Sequence, residues 1–151
     1  MDNSEIVRKE TSSKITKLPI LAAIVALVGL ADSIYLTIHH YTAEPVPCSI
    51  ITGCEQVLTS SYAEVAGIPL AIFGAVAYLT AFVLAILSAY GNRLTWTLFG
   101  LQVVIMSLFS GWLLYVQGFI LEAFCQFCLI SAATTFTLLI LFITSKFIRV
   151  K

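Results

Sequence analysis

Charge is what this chain has least of. Only 11% of its 151 residues are charged, 8 Lys or Arg against 8 Asp or Glu, so the formal net charge is zero. The rest is 60% hydrophobic, with a mean hydropathy of +1.00, which excludes an ordinary soluble domain of this size. Lysine and arginine are missing altogether from the segments 39–64 and 118–122. No internal repeat and no low-complexity tract is present, which argues against a solenoid or an array. Position 129, directly after Cys125-Gln-Phe-Cys128, is Leu rather than His, which excludes a c-type haem site.

What is present is apolar sequence in long runs. They cover 18–38, 65–90, 94–117 and 123–148. Each reaches the ~20 residues that cross the ~30 Å of bilayer hydrocarbon. Lipid leaves only helices or closed barrels as spanning structures, and the periods are not those of strands. The expected fold is an all-α integral membrane protein, a four-transmembrane-helix bundle spanning 18–148. A polar N-terminal tail, 1–17, is expected to be loosely ordered. The first run also has some features of a cleaved signal peptide, with Lys14 and Lys17 ahead of it and Gly29 and Ala31 near its end. It continues past Asp32 through Ile34, Tyr35 and Leu36, which is long for a signal.

Four spans put every basic residue on one side. Arg8, Lys9, Lys14 and Lys17 precede the first span, Arg93 sits in the turn between the second and third, and Lys146, Arg149 and Lys151 end the fourth. Basic loops stay in the cytoplasm. Both termini are therefore expected there, with the protein in the cell membrane. The 39–64 loop and both cysteine pairs then face outward, where disulfides persist. Glu44, Glu55, Glu64 and Glu122 lie on that side, as a solvated rim or as a surface that selects partners.

The cysteines carry the chemistry. Cys125 and Cys128 are three apart, so at ~100° per residue they share one helix face. They lie near the start of the last span, where the helix dipole and free N–H groups favour a thiolate. So short a ring restrains little chain, which makes a purely structural 125–128 disulfide a poor reading. Cys48 and Cys54 flank a five-residue spacer containing Gly53, with Pro45 and Pro47 on the approach. They can bond to each other as a staple, or one can reach Cys125. Two dithiols on one side also permit a relay, in which a thiolate attacks the next disulfide. A four-cysteine zinc site would need a C-x5-C knuckle facing lipid, and no metal is expected.

Other residues have weaker claims. Asp32 lies within a span, either as a proton handler or paired with Ser33 or Tyr35. His39 and His40 are expected at the outer interface. Pro69 is expected in the first turn of the second helix. Gly74, Gly100, Ser107, Ser110 and Gly111 are small residues of the kind that let helices approach. Trp112, Tyr115 and Phe119 suit packing or the interfacial belt better than a cofactor. Ser131, Thr134 and Thr135 either donate to a ligand or bond back to their own helix.

These residues jointly resemble the vitamin K epoxide reductase family, in particular its prokaryotic, DsbB-like branch. The resemblance runs through Gly29-Leu30-Ala31-Asp32-Ser33-Ile34-Tyr35-Leu36, then Cys48-x5-Cys54-Glu55-Gln56-Val57-Leu58. It continues through Ser60-Ser61-Tyr62-Ala63, Gly67-Ile68-Pro69-Leu70, Gly74 and Tyr78 to the CxxC of the last helix. It implies a bundle enclosing a quinone of the ubiquinone or menaquinone type. It also implies a membrane thiol:quinone oxidoreductase that reoxidises a thioredoxin-fold, DsbA-type partner. By position, Cys48 exchanges with that partner, Cys54 attacks Cys125, and Cys128 faces the quinone. Ser60 helps hold the loop near the site, and with Ser131 it is a candidate quinone contact.

The resemblance also has departures. The chain ends at Lys151 without a fused thioredoxin-like domain, so the expected partner is a separate protein, besides lipid and quinone, and no nucleic acid. Leu70 and Ala132 stand where animal members carry Asn and Tyr, which favours quinone over epoxide reduction. The competing reading, from another class, is a non-enzymatic four-helix subunit or carrier stapled by disulfides.

Overall fold

A computed structural model of the chain describes residues 3–150, with the side chains of 9–16, 149 and 150 outside the description. Helix α1 covers Asn3–Thr42 and α2 covers Cys54–Leu58. A two-residue ribbon follows, β1 Glu64–Val65 antiparallel to β2 Ile68–Pro69. Then come α3 Leu70–Ala89, α4 Arg93–Tyr115, a π-helical turn Val116–Ile120, and α5 Gln126–Val150. Four helical stretches are long and apolar enough to cross a membrane: Lys17–Thr42, Leu70–Ala89, Arg93–Ile120 and Gln126–Ile148. The protein is an all-α membrane bundle, as its hydropathy requires.

The helices alternate in direction. α1 packs against α3 and α5, and α4 against the same two. Small side chains make this possible. Ala22, Ala23 and Ala26 of α1 and Ala81 and Ala85 of α3 are all buried, and apposed small residues let helix backbones approach closely. Gly29 faces the ring of Tyr78, and Gly100 faces that of Phe142, so that a Cβ at either position would collide. Trp96 closes the end of the bundle away from the cysteines. It stacks on Phe99 at 4.8 Å and donates from its indole N–H to Ser145 Oγ at 2.8 Å.

Several expectations change. Helix runs through 3–17, where a loosely ordered tail was expected, and continues past Pro19 to Thr42. The side chains of Lys9, Lys14 and Arg149, and Lys151 altogether, lie outside the described residues. Pro69 caps α3 from the ribbon instead of entering its first turn. Spans expected to end at 117 and restart at 123 put the α4–α5 reversal at 118–122, but Gly118 stays inside the π turn. The reversal falls at 121–125, where Glu122 takes φ 48°. Gly111 has nothing within 4 Å of a Cβ position and mediates no helix approach.

Candidate functional site

The loop after α1 folds back over the start of α5. Cys48 and Cys54 form a disulfide with Cα atoms 6.2 Å apart, while Cys125 and Cys128 are free thiols. All four pack in one apolar cluster with Val57, Leu121, Ala123 and Phe127. Within it the cysteines differ. Cys54 and Cys125 are buried, 1% and 0% exposed, whereas Cys48 is half-buried.

Three contacts outside the cysteines hold the loop down. Gln56 Nε2 donates to Leu121 O at 3.0 Å, and Ile50 N–H to Gln126 Oε1 at 3.3 Å. Gly53 lies against the Phe124 backbone, where a Cβ would stand 2.8 Å from the carbonyl oxygen and 2.9 Å from the nitrogen. Gly53 has φ −93°, so close approach and not a turn conformation requires glycine there. Ser60 Oγ donates to Val57 O at 2.7 Å, closing the end of α2.

The π turn fixes the CxxC from the other side. One extra residue in that turn is closed by Leu121 N–H donating to Val116 O at 2.9 Å. Such turns often mark functional positions. The buried Gln117 then receives the Cys125 N–H on its Oε1 at 3.0 Å and the Ala123 N–H on its main-chain oxygen at 3.0 Å. Sequence reasoning passed over Gln117. Its signal was a neutral polar side chain at the end of an apolar run.

Cys125 directly precedes α5, and its carbonyl accepts the Leu129 N–H at 3.0 Å. A hydrogen bond from the Cys128 thiol lowers its pKa from the ordinary 9.0 to about 7. Burial opposes this, and the N–H groups of Cys128 and Phe127 reinforce it.

Cys128 lies on the wall of a cavity of about 1180 Å³ within the half of the bundle that carries the cysteines. Ser60, Ser131, Leu70 and Ala132 line it too, and Glu44, Glu55 and Glu64 lie toward its loop side. Tyr78 crosses the bundle to α5. Its hydroxyl donates to Ser131 O at 2.7 Å and shares hydrogen bonds with Ser131 Oγ at 2.9 Å and Thr135 Oγ1 at 2.7 Å. Thr134 bonds back to Ile130 O at 2.8 Å. Trp112, Tyr115 and Phe119 do not line the cavity. They form an exposed ladder with ring spacings of 5.9 and 5.1 Å. At the rim, His40 pairs with Glu64 at 3.3 Å, and His39 bonds Glu44 O at 3.4 Å.

The sequence model of the vitamin K epoxide reductase family matches residues 20–143, most of the chain. The chain belongs to that family. Family members are membrane oxidoreductases acting on thiols and disulfides, generally linked to quinones and working with thioredoxin-fold proteins. The family's disulfide-forming cysteine chemistry has its counterpart here in cysteines gathered at one end of four membrane-length helices.

Proposed function

We propose that the protein is a thiol:quinone oxidoreductase that takes an electron pair from a separate thioredoxin-fold, DsbA-type protein. The observation that carries this is the division of labour between Cys125 and Cys128. Cys125 is buried against the loop pair, and Cys128 borders the cavity. A dithiol reaching the half-buried Cys48 reduces the 48–54 disulfide and leaves as a disulfide. The Cys54 thiolate then attacks Cys125 of an oxidised 125–128 pair. The 48–54 bond re-forms, and the electron pair rests on Cys125 and Cys128. One bonded loop pair beside two free inner thiols matches that stage.

A quinone fits the cavity chemically. The walls are largely apolar, Ser60 and Ser131 offer hydroxyls, and a buried oxygen of Asp32 has no hydrogen-bond partner among the described residues. Bound there, a quinone would accept two electrons and two protons. Leu70 and Ala132 contribute apolar wall, which supports a quinone over an epoxide.

Arg93, Lys17 and Lys146 lie at or near the bundle end opposite the cysteines. That charge distribution supports cytoplasmic termini and an extracytoplasmic cysteine site in the cell membrane. The experiment is quinol formation by the purified protein in detergent, with a reduced DsbA-type donor. Cys128→Ala should abolish it. Cys48→Ser should block the protein donor and spare small dithiols. Absence of turnover in a folded wild-type protein, across ubiquinone and menaquinone types, would return the chain to a disulfide-stapled membrane subunit.

A further inference from the structure

Asp32 has no place in the thiol relay, yet it sits where that relay ends. Its Oδ2 is buried and, among the described residues, has no hydrogen-bond partner. The expected pairing with Ser33 or Tyr35 does not occupy it. A carboxylate within a membrane span is costly unless it serves a function.

Helical register locates it. Tyr35 of α1 meets the Phe127 ring of α5 at 5.2 Å. α1 runs outward and α5 inward, so one turn below that contact, ~5.4 Å along each axis, stand Asp32 on α1 and Ser131 on α5. Gly29, another turn down the same face of α1, meets Tyr78, whose hydroxyl holds Ser131 and Thr135. Asp32 and Cys128 line the same cavity, with Tyr78 and Ser131.

We propose that Asp32 is the proton-exchanging group of this cavity, taking up a proton as the 125–128 pair is reduced and returning it to a quinone oxygen. This rests on the oxidoreductase reading above. When the 125–128 pair is reduced, Asp32 carries one proton as a carboxylic acid, Cys128 carries a second as a thiol, and Cys125 stands as thiolate. When the 125–128 bond forms, the electron pair of the two sulfurs passes to the quinone. Asp32 gives one proton and becomes a carboxylate. The second proton leaves Cys128 for the other oxygen, so two electrons and two protons arrive together. Tyr78 is a positioning residue that keeps Ser131 and Thr135 from competing for the carboxylate.

The other titratable side chains of the cavity are His39 and His40 of α1, Glu44, Glu55, Tyr62 and Glu64 of the loop and ribbon, Tyr78 of α3 and Cys128 of α5. α4 contributes none to the wall. The two histidines and the glutamates lie one or more turns outward of Asp32, and His40 and Glu64 pair with each other. Asp32 is the carboxylate at the depth of Ser131.

Two measurements on the full chain decide the matter. The first is the infrared difference spectrum between reduced and oxidised protein, taken without quinone. A protonated-carboxyl band should appear on reduction and be missing in Asp32→Asn. The second is quinol formation with dithiothreitol as donor. Asp32→Asn should slow it ~100-fold, the lower range for a positioned acid–base group, with little change in the quinone KM. Asp32→Glu should restore part of the rate. Wild-type turnover with an unimpaired Asp32→Asn variant overturns the proposal. So does a slow variant in a protein whose wild-type spectrum carries no carboxyl signal, which would mark a packing role. A wild type inert toward every quinone overturns the oxidoreductase reading itself, a separate failure.

Discussion

Gln117 and Cys125 are joined by a buried hydrogen bond, the Cys125 N–H donating to Gln117 Oε1 at 3.0 Å. The bond spans the α4–α5 reversal and ties the π turn to the first CxxC sulfur. Its donor is one of the N–H groups that no helical carbonyl can satisfy at a helix start. Removing the acceptor strands a buried donor, at a cost of about 1–3 kcal/mol.

Gln117→Leu should therefore lower the thermal midpoint and slow thiol-dependent turnover, by ~100-fold if the sulfur moves on the order of an ångström. Gln117→Glu keeps an acceptor and should lose less. Thermal unfolding in detergent and dithiothreitol-driven quinol formation measure the two effects. Full activity in the Leu variant would show that another group places Cys125.

Gly53 tests the docking of the loop. Its φ of −93° suits alanine, but the added Cβ would meet the Phe124 backbone at 2.8 and 2.9 Å and Ala123 Cβ at 3.1 Å. Backbone cannot yield as a flexible side chain can, and overpacking of this kind costs about 1–3 kcal/mol. Gly53→Ala should lift α2 and separate Cys54 from Cys125. Turnover with a protein donor should fall, while turnover with dithiothreitol, which reaches the CxxC directly, should hold. The ratio of the two rates is the measurement. An equal fall in both would mean that the damage lies at the CxxC and not in the loop.

The sequence made the spans legible because membrane thickness sets their length and lipid forbids unpaired backbone. It made the gathering of the four cysteines at one bundle end legible because their spacing and the order of spans are read directly from the chain. Other features depended on contacts between segments far apart in the chain. The role of Gly53 rests on Phe124, 71 residues on, which no local pattern announces. The π turn carries the helix past 117 and through Gly118, so the reversal expected at 118–122 falls at 121–125, where Glu122 takes φ 48°. Asp32 read as ambiguous because its surroundings come from α3 and α5. The helical 3–17 segment was mistaken for coil because polarity says little about backbone once a strong helix follows.

Cys125 gives the pH dependence. Its pKa is lowered from 9.0 to about 7, first by the Cys128 thiol, then by N–H groups at the start of α5. The thiolate is the nucleophile in exchange, so reactivity should rise as pH climbs through about 7 and level off above it. The folding linkage has the same sign. Between about 7 and 9.0 the unfolded thiol holds the proton that the folded one has lost. Stability of the reduced protein should then increase with pH across that window, and the gain should vanish as pH falls through about 7. In a background of Cys48→Ala and Cys54→Ala, the thiolate ultraviolet absorbance of the reduced protein should titrate with a midpoint of about 7. Cys128→Ala removes the largest cause and should move the midpoint upward. A midpoint already at the ordinary thiol value, or one that ignores Cys128→Ala, would mean that the two sulfurs do not share a proton and that attack at Cys125 is governed by access alone.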